Sequence, residues 1–250
     1  MIGIRYSSII SGKLFNFFGP NFRSRDIIYK NLSIAFPNIN ELQKKIIFKK
    51  MWFNYGRILA EYVFIKQFRN SQLSKNIIIE NPEELEKIKN DSKPVIFISG
   101  HFNNFELMAM QIEKAGINLA AIYRPLNNIF LNPIIEKIRR NYICKKQIKK
   151  GISGTKELLK HFKKGSSIAL MIDQRVSEGI EVEFFNKKAL TTTIPAQFVK
   201  KYETKIVPVY IERDINNKFK MKIYKSLVFS KNETIETITK SLNKTLEKMI

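Results

Sequence analysis

Seven short stretches in the last three quarters of the chain decide what it can fold into. NIIIE, PVIFISG, LAAIYR, SIALMID, EVEFF, KIVPVYIER and FKMKIYKS have strand length, and several are too uniformly apolar to leave either face in water. Helical patterns lie between many of them, over residues 82–90, 103–115, 128–140, 153–164, 192–203 and from 233 to the end. Strands buried on both faces and alternating with helices predict a three-layer α/β fold, with a central, largely parallel sheet flanked by helices.

The first quarter reads differently. RSRDIIYKNLSIAF has helical spacing and stops at Pro37, and a second helical pattern runs from NELQ to about Phe68. The expected organisation is a helical, membrane-proximal region over 1–70 and an α/β core over 71–250. With no repeat or low-complexity linker, the helical region is expected to pack on the sheet as part of one structural domain. The opening segment mixes Ile2, Ile4, Ile9, Ile10, Leu14, Phe15, Phe17 and Phe18 with Arg5, Lys13, Arg23 and Arg25. That mixture suits a bilayer interface as well as a helix packed on the body of the protein. No apolar run is long enough to span a membrane, and no secretory signal is visible.

Charge narrows the partners. There are 44 Lys and Arg against 22 Asp and Glu, a formal net charge of +22, so an acidic partner is expected. Nucleic acid is disfavoured, because the lysines are spread over nearly the whole chain and no aromatic-basic motif of the single-strand or RNA type occurs. Cys144 is the only cysteine, which excludes an internal disulfide and a cysteine-rich zinc site. Two separated histidines supply no metal cluster. There is no G-x-S-x-G elbow, Walker loop or G-x-G-x-x-G fingerprint.

What remains is SGHFNNFE, directly behind PVIFI. In an α/β sheet, functional groups gather beyond the carboxyl ends of the strands, and the pattern puts His101 there. Glu106 follows five residues later. In a regular helix that spacing separates two side chains by roughly 140°. If His101 lies in the turn before the helix, its ring can fold back towards the carboxylate and serve as a general base. The alternative is a helix-capping histidine beside a surface Glu106. A base with no protein nucleophile suggests direct activation of a substrate hydroxyl. Arg124, just past LAAIY, can present a fork of donors to a phosphate or stand as a solvated loop charge. Asp173 ends SIALMI, where a carboxylate must be paired or exposed, and an ion pair with a neighbouring arginine is a natural expectation.

GHFNNFE, YRP, IRRNYICKKQI and ALMIDQR, followed by GIEVEFFNKKALTTTIPAQFVKKYETKIVPVYIER, together resemble the bacterial lipid A biosynthesis acyltransferases, the lauroyl/myristoyl transferase family. The likeness runs in order from about Arg23 to Arg213. It implies the fold of the wider glycerolipid acyltransferase superfamily. It also implies transfer of a fatty acyl group from an acyl carrier protein thioester to a hydroxyl of a Kdo-modified, phosphorylated lipid A precursor, with no cofactor and no metal. His101 and Glu106 fall on the family's catalytic pair. Arg124, Arg139 and Asp173 fall on positions associated with substrate binding and active-site organisation, with Arg140 beside Arg139 leaving open which of the two faces inward. The expected partners are the carrier protein, anionic inner-membrane lipid and the glycolipid acceptor, and the expected location is the cytoplasmic face of the inner membrane. Other superfamily acceptors, a phosphatidylinositol mannoside or a lysophospholipid, are the alternative. Family members usually carry an amino-terminal hydrophobic anchor and a tryptophan- and arginine-rich ending. This chain starts late and stops at SLNKTLEKMI, which leaves a truncated sequence as one reading.

Overall fold

The computed structural model describes residues 3–214 and 216–250, so Ile2 of the opening segment lies outside the described residues. The chain separates into two compact units, one of residues 1–66 with 185–187, the other of 67–184 with 188–250.

The first unit is helical. Helices α1 (Ile4–Phe18), α2 (Arg25–Ala35) and α3 (Glu41–Val63) match the sequence pattern, and Asn40 closes the start of α3 in a reciprocal capping box with Gln43. Helix α1 lies so close to α3 that a Cβ on Gly12 would stand 2.7 Å from the Phe53 ring. A small core of Ile28, Phe48 and Trp52 packs with Phe15, Tyr29, Leu32 and Met51. Phe15 therefore points inward, while Ile10, Leu14, Phe17 and Phe18 remain exposed on the same helix.

The second unit begins within the short helix α4 (Ile65–Asn70) and holds a seven-stranded sheet. Its strands are β1 (Ile77–Glu80), β2 (Ile96–Ser99), β3 (Leu119–Tyr123), β4 (Lys146–Lys149), β5 (Ser167–Met171), β8 (Ile206–Arg213) and β9 (Phe219–Ile223), in the order β1-β9-β8-β2-β5-β3-β4. All neighbours are parallel except the hairpin pair β8 and β9. The helices are α5 (Pro82–Asp91), α6 (Glu106–Lys114), α7 (Leu131–Ile138), α8 (Ile152–Lys163), α9 (Ile194–Tyr202) and α10 (Ile235–Glu247). Alternation along β2 sorts the layers. Ile96 and Ile98 join the core shared with Leu158 and Phe162 of α8, Phe198 and Val199 of α9, and Ile238, Leu242 and Leu246 of α10. Ser99 turns to the other face, where its hydroxyl meets Met108 of α6 at 3.4 Å. The three-layer, mostly parallel α/β fold read from the sequence is the one observed.

Two strands were not expected. KQIK, β4, has one fully buried aliphatic residue, Ile148, and sits at the sheet edge, where lysines on an outer strand discourage pairing with another chain. EVEFF was read as a strand, and is β6 (Ile180–Phe184), but it lies outside the main sheet and pairs with the unexpected β7 (Lys187–Thr191). The two-residue turn between them, Phe185 and Asn186, has φ of 48° and 57°, as a tight hairpin requires.

Candidate active site

The parallel register of β2 and β5 assembles the site. Ser99 is the partner of Met171, so the two chains leave the sheet side by side, and two residues further on they deliver His101 and Asp173. Gly100 lies beside the junction: a Cβ there would make ordinary contact with that of Asp173 at 3.4 Å and a tight one with the Phe102 ring at 3.0 Å. Behind His101, Asn103 adopts a left-handed backbone with φ of 44°, a conformation asparagine tolerates better than most residues, and α6 starts at Glu106. The expected helix over 103–115 thus begins one turn late, and His101 is held in a loop.

Asp173 grips His101 twice. Its Oδ2 accepts the His101 backbone N–H at 2.8 Å and its Oδ1 pairs with ring Nδ1 at 2.7 Å. A carboxylate on Nδ1 fixes the proton there and leaves Nε2 as the basic nitrogen. The ring is a third exposed, and its edge meets Phe105 at 4.7 Å between centroids. Burial pushes the Asp173 carboxyl up, but the His101 side-chain hydrogen bond and charge, with the backbone amides, outweigh it and hold the group below its ordinary 3.8. A carboxyl lowered in the folded state stabilises the fold above its unfolded value and loses that contribution as pH falls through the folded one. Denaturant unfolding of wild type and Asp173→Asn is therefore expected to differ above the ordinary carboxylate range and to converge as pH falls below it. A pH-independent gap would mean that the carboxylate charge is not what stabilises the loop.

The His101 ring does not turn back onto Glu106. Glu106 opens α6 facing inward and is held instead by Arg139, whose Nε and one terminal nitrogen donate to Glu106 Oε1 at 2.9 and 2.6 Å. The side chains are only 11% and 8% exposed, and the Arg139 guanidinium also lies 5.4 Å from the centre of the Tyr123 ring. Arg139 opens a π-helical turn, Arg139–Ile143, that continues α7, while Arg140 is exposed, so Arg139 is the one that faces inward. That turn is itself clamped. Arg69 donates to the carbonyl oxygens of Tyr142 and Ile143 at 3.3 and 3.4 Å and pairs with Glu113 at 2.6 Å, and the other Glu113 oxygen accepts the Lys145 N–H at 2.8 Å. Arg69 and Glu113 carried no signal in the sequence, because they lie 44 residues apart and their backbone partners lie further along the chain, 73 and 74 residues from Arg69 and 32 from Glu113.

Asp173 pairs with a histidine rather than an arginine. Arg124 is exposed behind β3 and makes no hydrogen bond or ion pair among the described residues, so its guanidinium is available to an anion. His161 lies in α8, 3.8 Å from Glu157 on the preceding turn, away from this arrangement. Cys144 is fully buried, with burial raising its thiol to about 12, which keeps it protonated and unreactive. Among the described residues there is no group of three His, Cys, Asp or Glu that could hold a metal ion. The site is a carboxylate-oriented imidazole at the carboxyl edge of a parallel sheet, equipped to take a proton from a hydroxyl.

The sequence model of a family described as bacterial lipid A biosynthesis acyltransferase matches the chain over residues 2–250. No curated protein shows a match to it.

Proposed function

Because the chain belongs to the bacterial lipid A biosynthesis acyltransferases and is an enzyme of that class, we propose that His101 is its general base and Asp173 the group that orients and charge-balances it. The observation that carries this reading is the 2.7 Å contact between His101 Nδ1 and Asp173. Nε2 takes the proton of an acceptor hydroxyl as its oxygen attacks the thioester carbonyl of an acyl carrier protein donor. Asp173 stabilises the imidazolium, and backbone N–H groups of the loop before α6 meet the oxyanion. Collapse of the tetrahedral intermediate forms the ester and expels the carrier thiolate, which recovers the proton from His101. Glu106 and Arg139 fix the start of α6 and so the loop that carries His101. Arg124 is suited to a phosphate of a Kdo-lipid A precursor.

No helix among the described residues is long and apolar enough to cross a membrane. We place the enzyme on the cytoplasmic face of the inner membrane by interfacial attachment. Exposed Phe17 on α1 and Val63 on α3, 75% and 78% accessible, and the net charge of +22 support this reading.

The test is mass analysis of the lipid after incubation with an acyl carrier protein thioester and the precursor. The precursor should gain one acyl chain, and Cys144→Ser should do the same, with no acylated protein trapped by the donor alone. An unchanged precursor, or an acyl-enzyme that disappears in Cys144→Ser, contradicts the direct transfer.

A further inference from the structure

The segment joining β3 to α7, together with the first turn of α7, holds large apolar side chains in water at the same sheet edge as His101. Leu126, Ile129, Phe130, Leu131 and Ile134 are all exposed, Ile129 at 74% and Phe130 at 80%. This is a built loop. Asn128 Oδ1 accepts the N–H groups of Phe130 and Leu131, each at 3.0 Å, and the Leu126 N–H donates to Asn132 Oδ1 at 2.8 Å. The Asn132 amide in turn donates to Glu136 at 2.7 Å. Polar side chains thus fix the backbone in a shape that turns the apolar ones outward.

The surroundings are cationic. Residues 124–150 contain three arginines and five lysines against one acid, Glu136. Arg124, Arg140, Lys149 and Lys150 are exposed. They belong to the sheet edge that carries the site: Tyr123 is the register partner of Lys149, the Lys150 N–H donates to the Tyr123 carbonyl at 2.9 Å, and Lys149 reaches Glu136 of α7 at 3.4 Å. The far end of α7 leads into Arg139 and so to Glu106.

We propose that segment 126–134 enters the interface of an anionic bilayer, with Ile129 and Phe130 among the acyl chains and Arg124, Arg140, Lys149 and Lys150 at the level of the phosphates. A lipid hydroxyl then reaches His101 from the membrane side without leaving the bilayer. An acidic protein would satisfy the charge, but aliphatic and aromatic side chains projecting together from a rigid loop, ringed by cations, match hydrocarbon beneath an anionic headgroup layer. The part in acceptor access rests on the acyltransferase reading, whereas the insertion itself does not, and its test needs no turnover.

The probe is Phe130→Trp, with wild type, whose sole tryptophan is the buried Trp52, as the reference signal. On vesicles of phosphatidylcholine and phosphatidylglycerol brominated along their acyl chains, the added tryptophan should shift to the blue and be quenched beyond the wild-type change. Ile129→Ser/Phe130→Ser should bind the same vesicles about tenfold more weakly than wild type. Vesicle-bound protein whose added tryptophan is unshifted and unquenched overturns the proposal. So does a failure to bind these vesicles at all. A blue shift produced by an acidic carrier protein without vesicles, and absent with them, would instead make the patch a protein-docking surface.

Discussion

His101→Ala is expected to lose about 10² to 10⁴ of its turnover while remaining folded, because it removes the base and little packing. The ring is a third exposed and its one side-chain hydrogen bond goes to Asp173, so the melting temperature should fall by no more than about 4 °C. Asp173→Asn should lose activity in the same range, since an amide on Nδ1 neither fixes the productive tautomer nor balances an imidazolium. Arg124→Ala should differ in kind, raising KM for a phosphorylated acceptor more than it lowers kcat. Acyl transfer and thermal unfolding measured on the same three proteins separate these roles. Wild-type turnover per folded molecule in His101→Ala would remove the catalytic assignment, leaving a histidine that merely caps the loop.

The second large effect is on stability. Glu106→Gln and Arg139→Met each remove one partner of a nearly buried ion pair, a change that commonly costs about 3–5 kcal/mol. For a chain of this length that is a fall in melting temperature of about 6–20 °C. The double change Glu106→Leu/Arg139→Met should recover most of the loss, because two apolar side chains leave no stranded charge. Simple addition of the two single losses would show that the pair is not the unit holding the start of α6. If Glu106 instead acted directly on His101, Glu106→Gln would abolish activity at unchanged stability, the opposite signature.

These two experiments bear on different carboxylates, and the structure gives each of them a partner other than the one expected from the sequence. The strand-then-histidine pattern of PVIFISGH placed His101 correctly, because a buried parallel strand ends where the functional edge begins. Glu106 drew attention by being close in sequence. Asp173 reaches His101 only because β2 and β5 are neighbours, although β3, β4 and three helices intervene along the chain. Strand order is a property of the packed sheet, and no local pattern in either segment records it. Arg139 was legible as a position but not as a partner, since its inward aim depends on the π-helical turn, which shifts the side-chain spacing that a 3.6-residue period predicts. β4 was missed for the same kind of reason: a lysine-rich edge strand has one buried apolar side chain, Ile148, to advertise it, and its other residues are those of a loop.

The reversed strand β9 also has a bearing on how the molecule is made. β1 is hydrogen-bonded in the sheet only to β9, and the Asn81 side chain just beyond it donates to the carbonyl of Ile223, 142 positions later. Strands β2, β3, β4 and β5 span residues 96–171 and can pair among themselves as soon as that stretch is available, whereas β1 must wait until the β8–β9 hairpin arrives. Closing so long a loop is entropically slow. During synthesis on the ribosome, the four residues IIIE therefore stay unpaired while most of the polypeptide emerges. Hydrogen-exchange protection should reach the centre of the sheet before it reaches residues 77–80.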